Sequence, residues 1–170
     1  GMTMGYYDGN TVTGMWNYAQ NFALNDNSYS TIFGPSTPGA LNLISGTVAG
    51  GTMHDPATGE QKKIEAGKNH ALAGVSEDGK TATVVGDPDP IYDDCSNNSS
   101  AGTNQVTAMH SKNIGDQLND KDVTWGWFQG GFRPTDEATD NARARCGASH
   151  TTLTGQNQTD YNPHHQPFQY

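Results

Sequence analysis

The sequence predicts an α/β domain of three layers with long loops. Three observations carry that expectation: apolar residues at helical spacing near the start, a strand–turn–helix unit around Ser36, and short apolar or β-branched runs that alternate with helical segments.

Val12, Met15, Trp16, Ala19, Phe22 and Ala23 recur at helical spacing, which predicts an amphipathic helix from Thr11 to Ala23 capped near Asn10. Leu24 to Phe33 reads as a strand region. Pro38 suits the first position of a second helix, with Thr37 as N-cap and Gly46 as its stop. Residues 47–80 show no period and many turn formers, Gly50-Gly51 and Asp78-Gly79 among them, and read as a surface excursion. Thr81 to Val85 is a short β-branched strand. Asp87-Pro88-Asp89-Pro90 is a rigid extended turn, because proline restricts itself and the residue before it. Asn97 to Ser100 is loop. Lys112 to Asp120 reads as a short helix, Val123 to Phe128 as a buried strand closed by Gly130-Gly131, and 136–145 as helical.

Composition narrows the functional classes. At 170 residues the chain suits one domain with a substantial core. A hydrophobic share of 32% with 21 glycines and 8 prolines favours a loop-rich globular protein over a helical bundle, and the aromatic content argues against disorder. The formal charge of −9, without a basic cluster beyond Lys62-Lys63 and Arg143/Arg145, argues against nucleic-acid binding. A phosphoester ligand would then need local positive potential from backbone amides or a metal ion. No stretch approaches the roughly 20 apolar residues of a membrane span, and no signal peptide is visible. Gly1-Met2 reads as a tag remnant.

Cys95 and Cys146 both lie in polar loops. A disulfide, and with it an oxidising compartment, is the favoured reading; two free thiols are the alternative. Neither has a C-x-x-C partner, which argues against structural zinc.

Ser36 carries the chemical reading. A hydroxyl where a strand turns into a helix projects past the strand, and the amides of Thr37 and Gly39 can face an incoming anion. Phosphoryl transfer needs mainly positioning and charge stabilisation, which a serine at a positive helix end can serve as nucleophile. Pro38 replaces the second glycine of the acyl-hydrolase elbow, so that motif is excluded. Ser-Thr-Pro taken alone is most often a helix cap.

The segments Tyr7 to Asn10, Leu24 to Tyr29 and Phe33-Gly34-Pro35-Ser36-Thr37-Pro38-Gly39-Ala40-Leu41-Asn42-Leu43 resemble the bacterial phosphoesterase family of phospholipases C and acid phosphatases. Gly86 to Cys95, Asn113 to Asp116, Thr124 to Phe132 and Asp160 to Phe168 are similar to it in the same order. The resemblance implies an alkaline-phosphatase-like core, present in part, and hydrolysis of phosphomonoesters or phospholipid head-group esters, usually with a divalent metal ion. It implies Ser36 as nucleophile, with Thr37 a secondary candidate, and His164 or His165 contacting phosphate or assisting proton transfer. The family's upstream Glu-Asn pair, and its downstream Asp-Asp pair with a further histidine, have no counterpart here. The chain therefore reads as part of such an enzyme, with little hydrolysis of its own and metal ligands not identified. Asp93-Asp94 belongs to the block before Cys95 and is not that downstream pair.

Asp26 and Asn27 are candidates to support the site from behind, capping being the alternative. His54, His70, His110 and His150 read as isolated loop residues. A core cut short would expose strand edges, which implies a homo-oligomer. The bacterial family and the cysteine pair together imply a secreted or periplasmic protein. Two other readings stand beside the hydrolase: a non-catalytic module that binds anions or a partner through the Ser36 cradle, and a secreted domain for polar ligands.

Overall fold

The computed structural model describes residues 7–93, 95, 106–130, 133–137, 139 and 144–170. The loop expected at 97–100, Asp94 and Gly131 lie outside them. The chain divides into two compact units, Gly1–Ser30 and Thr31–Tyr170.

The first unit holds helix α1 (Thr13–Asn21). It begins two residues later than the spacing predicted, and Asn10 does not cap it. The Asp8 carboxylate instead accepts the Asn10 and Thr11 amides at 3.1 and 3.0 Å and the Thr11 hydroxyl at 2.9 Å. These bonds tie the preceding turn and hold the Asp8 carboxyl below its usual range, the Thr11 hydroxyl most of all. No residue of α1 is buried, so its apolar face is present in sequence but uncovered.

The strand expected at Leu24 to Phe33 does not form; the segment runs as bends and irregular chain. Asn25 accepts the Asn27 amide at 3.1 Å, and Asn27 donates to Asp26 at 3.2 Å. Such local side-chain bonds give the backbone an alternative to a ladder.

In the second unit, helix α2 runs Ser36–Ser45 with extended Pro35 as N-cap. Ser36 is thus its first residue, Thr37 its second and Pro38 its third, two places earlier than expected. Pro38 fits because amides of the first turn have no intrahelical acceptor, so it marks the first turn rather than the first residue. Gly46 ends the helix in the left-handed region, φ 69°, with its amide donating to Asn42 O at 2.8 Å.

Residues 47–80 are not a surface excursion. They supply β1 (Thr52–His54), β2 (Gln61–Lys62) and β3 (Leu72–Ala73), with Thr52, Met53, Ile64 and Leu72 buried. Strands of two or three residues are too short to show a period, which is why the pattern looked structureless. The Asp78-Gly79 turn forms as expected: the Gly79 amide donates to Ser76 O at 2.9 Å, with φ 72° at Gly79.

β4 (Thr83–Val84) pairs antiparallel with β3. β5 (Asp89–Pro90) runs parallel to β6 (Val106–Ala108), which is antiparallel to β1. The resulting sheet has the order β2-β1-β6-β5. β5 is an edge, where a proline that cannot donate is tolerated. The main core joins Leu41 of α2 to Met53, Ile64, Leu72, Ala82, Val84 and Tyr170.

Helix α3 (Ile114–Asn119) carries a capping box: Asn113 Oδ1 accepts the Gly115 and Asp116 amides, and Asp116 accepts the Asn113 amide at 2.9 Å. Val123 to Phe128 is neither buried nor in a strand. Trp125 instead donates its indole N–H to Asn119 at 2.8 Å and stacks tilted on Phe168 at 5.0 Å, as Trp127 does at 5.1 Å. An aromatic run packed on a helix end mimics a core strand in sequence. Asp136 and Arg145 form an antiparallel bridge rather than the ends of a helix; residues 138 and 140–143 lie outside those described. A hairpin of β7 (Ser149–Thr151) and β8 (Asn157–Thr159) was not anticipated.

Cys95 and Cys146 are disulfide-bonded, with Cα atoms 5.1 Å apart, and cluster with buried Tyr161. Tyr161 donates to Asp93 Oδ1 at 2.5 Å, next to the bond that Cys95 N makes to the same oxygen at 3.0 Å. The fold class is mixed α/β, built on a small sheet and few helices. No described helix is long and apolar enough to cross a membrane.

Candidate active site

Three segments of the second unit meet at the start of α2. The first is Ser36-Thr37 itself. The second is Asp87 to Asp89, entering β5. The third is the pair of 3₁₀ turns Pro163–His165 and Pro167–Gln169.

Thr37 is the anchor. It is fully buried, and its hydroxyl donates to His164 O at 2.8 Å. Tyr170 lies 3.5 Å from the same hydroxyl and donates to Pro88 O at 2.5 Å. One threonine and one tyrosine therefore tie the helix, the Asp87-Pro88 segment and the histidine turn together. Burial, first of all, raises the Tyr170 phenol well above its usual range, so it stays a donor.

With Thr37 turned inward, Ser36 is left exposed. Its Oγ lies 2.9 Å from His165 Nε2 and 3.4 Å from Asp87 Oδ1. The hydroxyl has one proton to donate to one or other of them; the shorter contact, to His165, is well inside hydrogen-bond range while the other is at its limit. When His165 carries its proton on Nδ1, the serine O–H donates to a free Nε2 lone pair. Burial and then the neighbouring His164 lower the His165 pKa below its ordinary 6.5, against an upward pull from Asp87. At neutral pH this imidazole is therefore a base and not a cation.

Asp87 was not anticipated as a site residue, and it bonds directly to the helix start. Its Oδ1 accepts the Thr37 amide at 2.9 Å. The Gly39 amide is turned back on Pro35 O at 3.5 Å within the helix. Both amides expected to face an anion thus already have partners. The signal for Asp87 lay only in the Gly86 to Cys95 block, 51 residues from Ser36.

His164 and His165 rings meet edge to face at 4.7 Å. His164 turns inward, with Nδ1 3.8 Å from the fully buried Asp89 carboxylate. Of the two histidines left open by sequence, His165 faces Ser36 and His164 faces the interior. Asp26 and Asn27 belong to the first unit, where both are exposed. His54 and His110, expected as isolated loop residues, both reach one threonine on the sheet. His150 pairs with Asp160 at 2.5 Å.

No curated protein matches the chain significantly. The model of the Phosphoesterase family matches residues 1–169. With nearly its whole length so matched, the chain belongs to the Phosphoesterase family.

Proposed function

We propose that this chain hydrolyses phosphoesters through Ser36, of the phosphomonoesterase or phospholipase C type, with His165 as the group that receives the serine proton. Family membership supplies the reaction class. The observation that carries the rest is the 2.9 Å contact between Ser36 Oγ and a histidine whose environment keeps it unprotonated. In the forward step the Ser36 oxygen forms a bond to phosphorus as its proton passes to Nε2. The bond from phosphorus to the leaving-group oxygen breaks, and that oxygen can take the proton back from the imidazolium. Water then cleaves the phosphoserine by the reverse use of the same base.

Phosphoryl oxygens need donors. The Thr37 amide is the best placed, and the Asp87 carboxylate must yield it for a phosphate to bind there. Family members often use metal ions, but the donors here do not make such a centre. Asp87 Oδ1 is engaged by the Thr37 amide and faces Ser36, and among the described residues no three of His, Cys, Asp and Glu converge. The same reading places the mixed sheet in a three-layer alkaline-phosphatase-like core. It places the disulfide-bonded chain in a secreted or periplasmic setting.

The test is turnover of p-nitrophenyl phosphate and a phosphorylcholine ester by the purified chain beside Ser36→Ala. The reading requires slow hydrolysis that the substitution abolishes. Equal rates for both proteins would remove Ser36 from the mechanism.

A further inference from the structure

The residues on one face of the β1–β6 ladder form a second constellation, outside the Ser36 site. Alternation along β1 puts Thr52 and His54 on the face opposite Met53, and the register pairs Thr52 with Ala108 and His54 with Val106. His110, two residues beyond Ala108, reaches the same face. The two histidines are 56 residues apart in sequence, yet both Nε2 atoms close on one hydroxyl: His54 at 2.8 Å and His110 at 3.1 Å from Thr52 Oγ1.

The hydrogen bonds fix the protons. His54 Nδ1 lies 2.9 Å from the Gly59 carbonyl, which only accepts, so Nδ1 carries a proton and the lone pair of the neutral tautomer is at Nε2. Thr52 has two acceptors within reach, His54 Nε2 at 2.8 Å and the Ala108 carbonyl at 3.4 Å; its single proton goes to the nearer, His54, and its oxygen accepts the Nε2–H of His110. A histidine whose Nδ1–H is held by a backbone carbonyl, with a bare Nε2 aimed at a shared point, has the arrangement found in metal-binding imidazoles. Thr52 is buried, His54 half-buried and His110 exposed, so the point is reached from solvent on the His110 side. His110 can move its proton from Nε2 to Nδ1 by exchange with water.

We propose that Thr52, His54 and His110 form a binding site for a borderline first-row divalent cation such as Zn2+. The two Nε2 atoms are its ligands, and the Thr52 hydroxyl and water complete an open coordination sphere. Neutral imidazole suits this class of ion over Mg2+ or Ca2+, which select oxygen donors. Two protein nitrogens make the site an open one, and its affinity falls with pH as protons compete for the imidazoles.

The experiment uses the whole chain, stripped with chelator and titrated with Zn2+ alone. Imidazole nitrogens are followed by long-range 1H–15N correlation and binding by calorimetry. The expected result is that the Nε2 signals of His54 and His110 shift together while His54 Nδ1 keeps its proton. His54→Ala and His110→Ala each weaken binding at this site by roughly tenfold or more, the scale on which even outer partners of metal-binding histidines act. Ser36→Ala and His165→Ala leave it unchanged. Zn2+ that moves only His164 and His165, or His150, or no imidazole, overturns the proposal. So does Mg2+ that shifts the same signals equally well. The wild-type spectra decide the matter even where a histidine variant fails to fold.

Discussion

The Asp87 carboxylate accepts the Thr37 backbone amide at 2.9 Å, so the start of α2 already holds an anion supplied by the chain itself. A carboxylate there complements the positive helix end. It also stands where a phosphate would bind. Asp87→Asn removes the competing charge but keeps an acceptor for the amide. Inorganic phosphate is expected to bind tighter by about 1 kcal/mol, roughly fivefold, the size of one unscreened charge contact in water. The melting temperature should fall slightly through loss of the charge–helix interaction. Calorimetric titration with phosphate checks this; weaker binding in the variant would mean that Asp87 supports the anion rather than competing with it.

His165 should act through its unprotonated form. His165→Ala is expected to lower the chemical rate by a factor of about 10²–10⁴, the range for a lost general base. The rate should fall on the acid side of the profile. Because burial and His164 depress the His165 pKa, that limb should lie below pH 6.5. A pH–rate profile with its acid limb above pH 7 would exclude His165 as the base.

The Cys95–Cys146 bond spans 51 residues. Closing a loop of that length restricts the unfolded chain by about 2–4 kcal/mol. Denaturant unfolding with and without reductant should show a loss of that order, while reduction leaves Ser36 and His165 in place. An unchanged midpoint would show that the bond adds nothing to stability.

Asn113 offers a local test of α3. Its side chain satisfies two amides of the first turn. Asn113→Ala should cost about 1 kcal/mol, and Asn113→Asp much less. Thermal unfolding of the two variants distinguishes loss of the cap from a general sensitivity of the segment.

What the sequence made legible were the features written in local chemistry. Gly46 as a helix stop, the Asp78-Gly79 turn and the helix at Lys112 to Asp120 all follow from residues within one turn of each other. The strands of 47–80 escaped notice because each is two or three residues long, and because β1 finds its partner in β6 and β3 in β4, outside the segment. The aromatic run at Val123 to Phe128 misled for the opposite reason: its composition is that of a strand, but its rings pack on α3 and Phe168. At the site, the Ser36 segment and the His164-His165 pair were readable as motifs. Which histidine faces the serine was not, because that depends on Thr37 holding the His164 carbonyl. Asp87 was equally hidden, since its importance lies in one bond across 50 residues.

The central claim is that Ser36 attacks phosphorus. Its most direct test is a single-turnover reaction of the whole chain with an activated aryl phosphate, quenched in acid and mapped by peptide mass spectrometry. The account predicts a phosphoryl group on Ser36 that accumulates with release of the phenol, is absent in Ser36→Ala and forms far more slowly in His165→Ala. Phenol release with Ser36 unmodified at every time point, or at the same rate in Ser36→Ala, would contradict it.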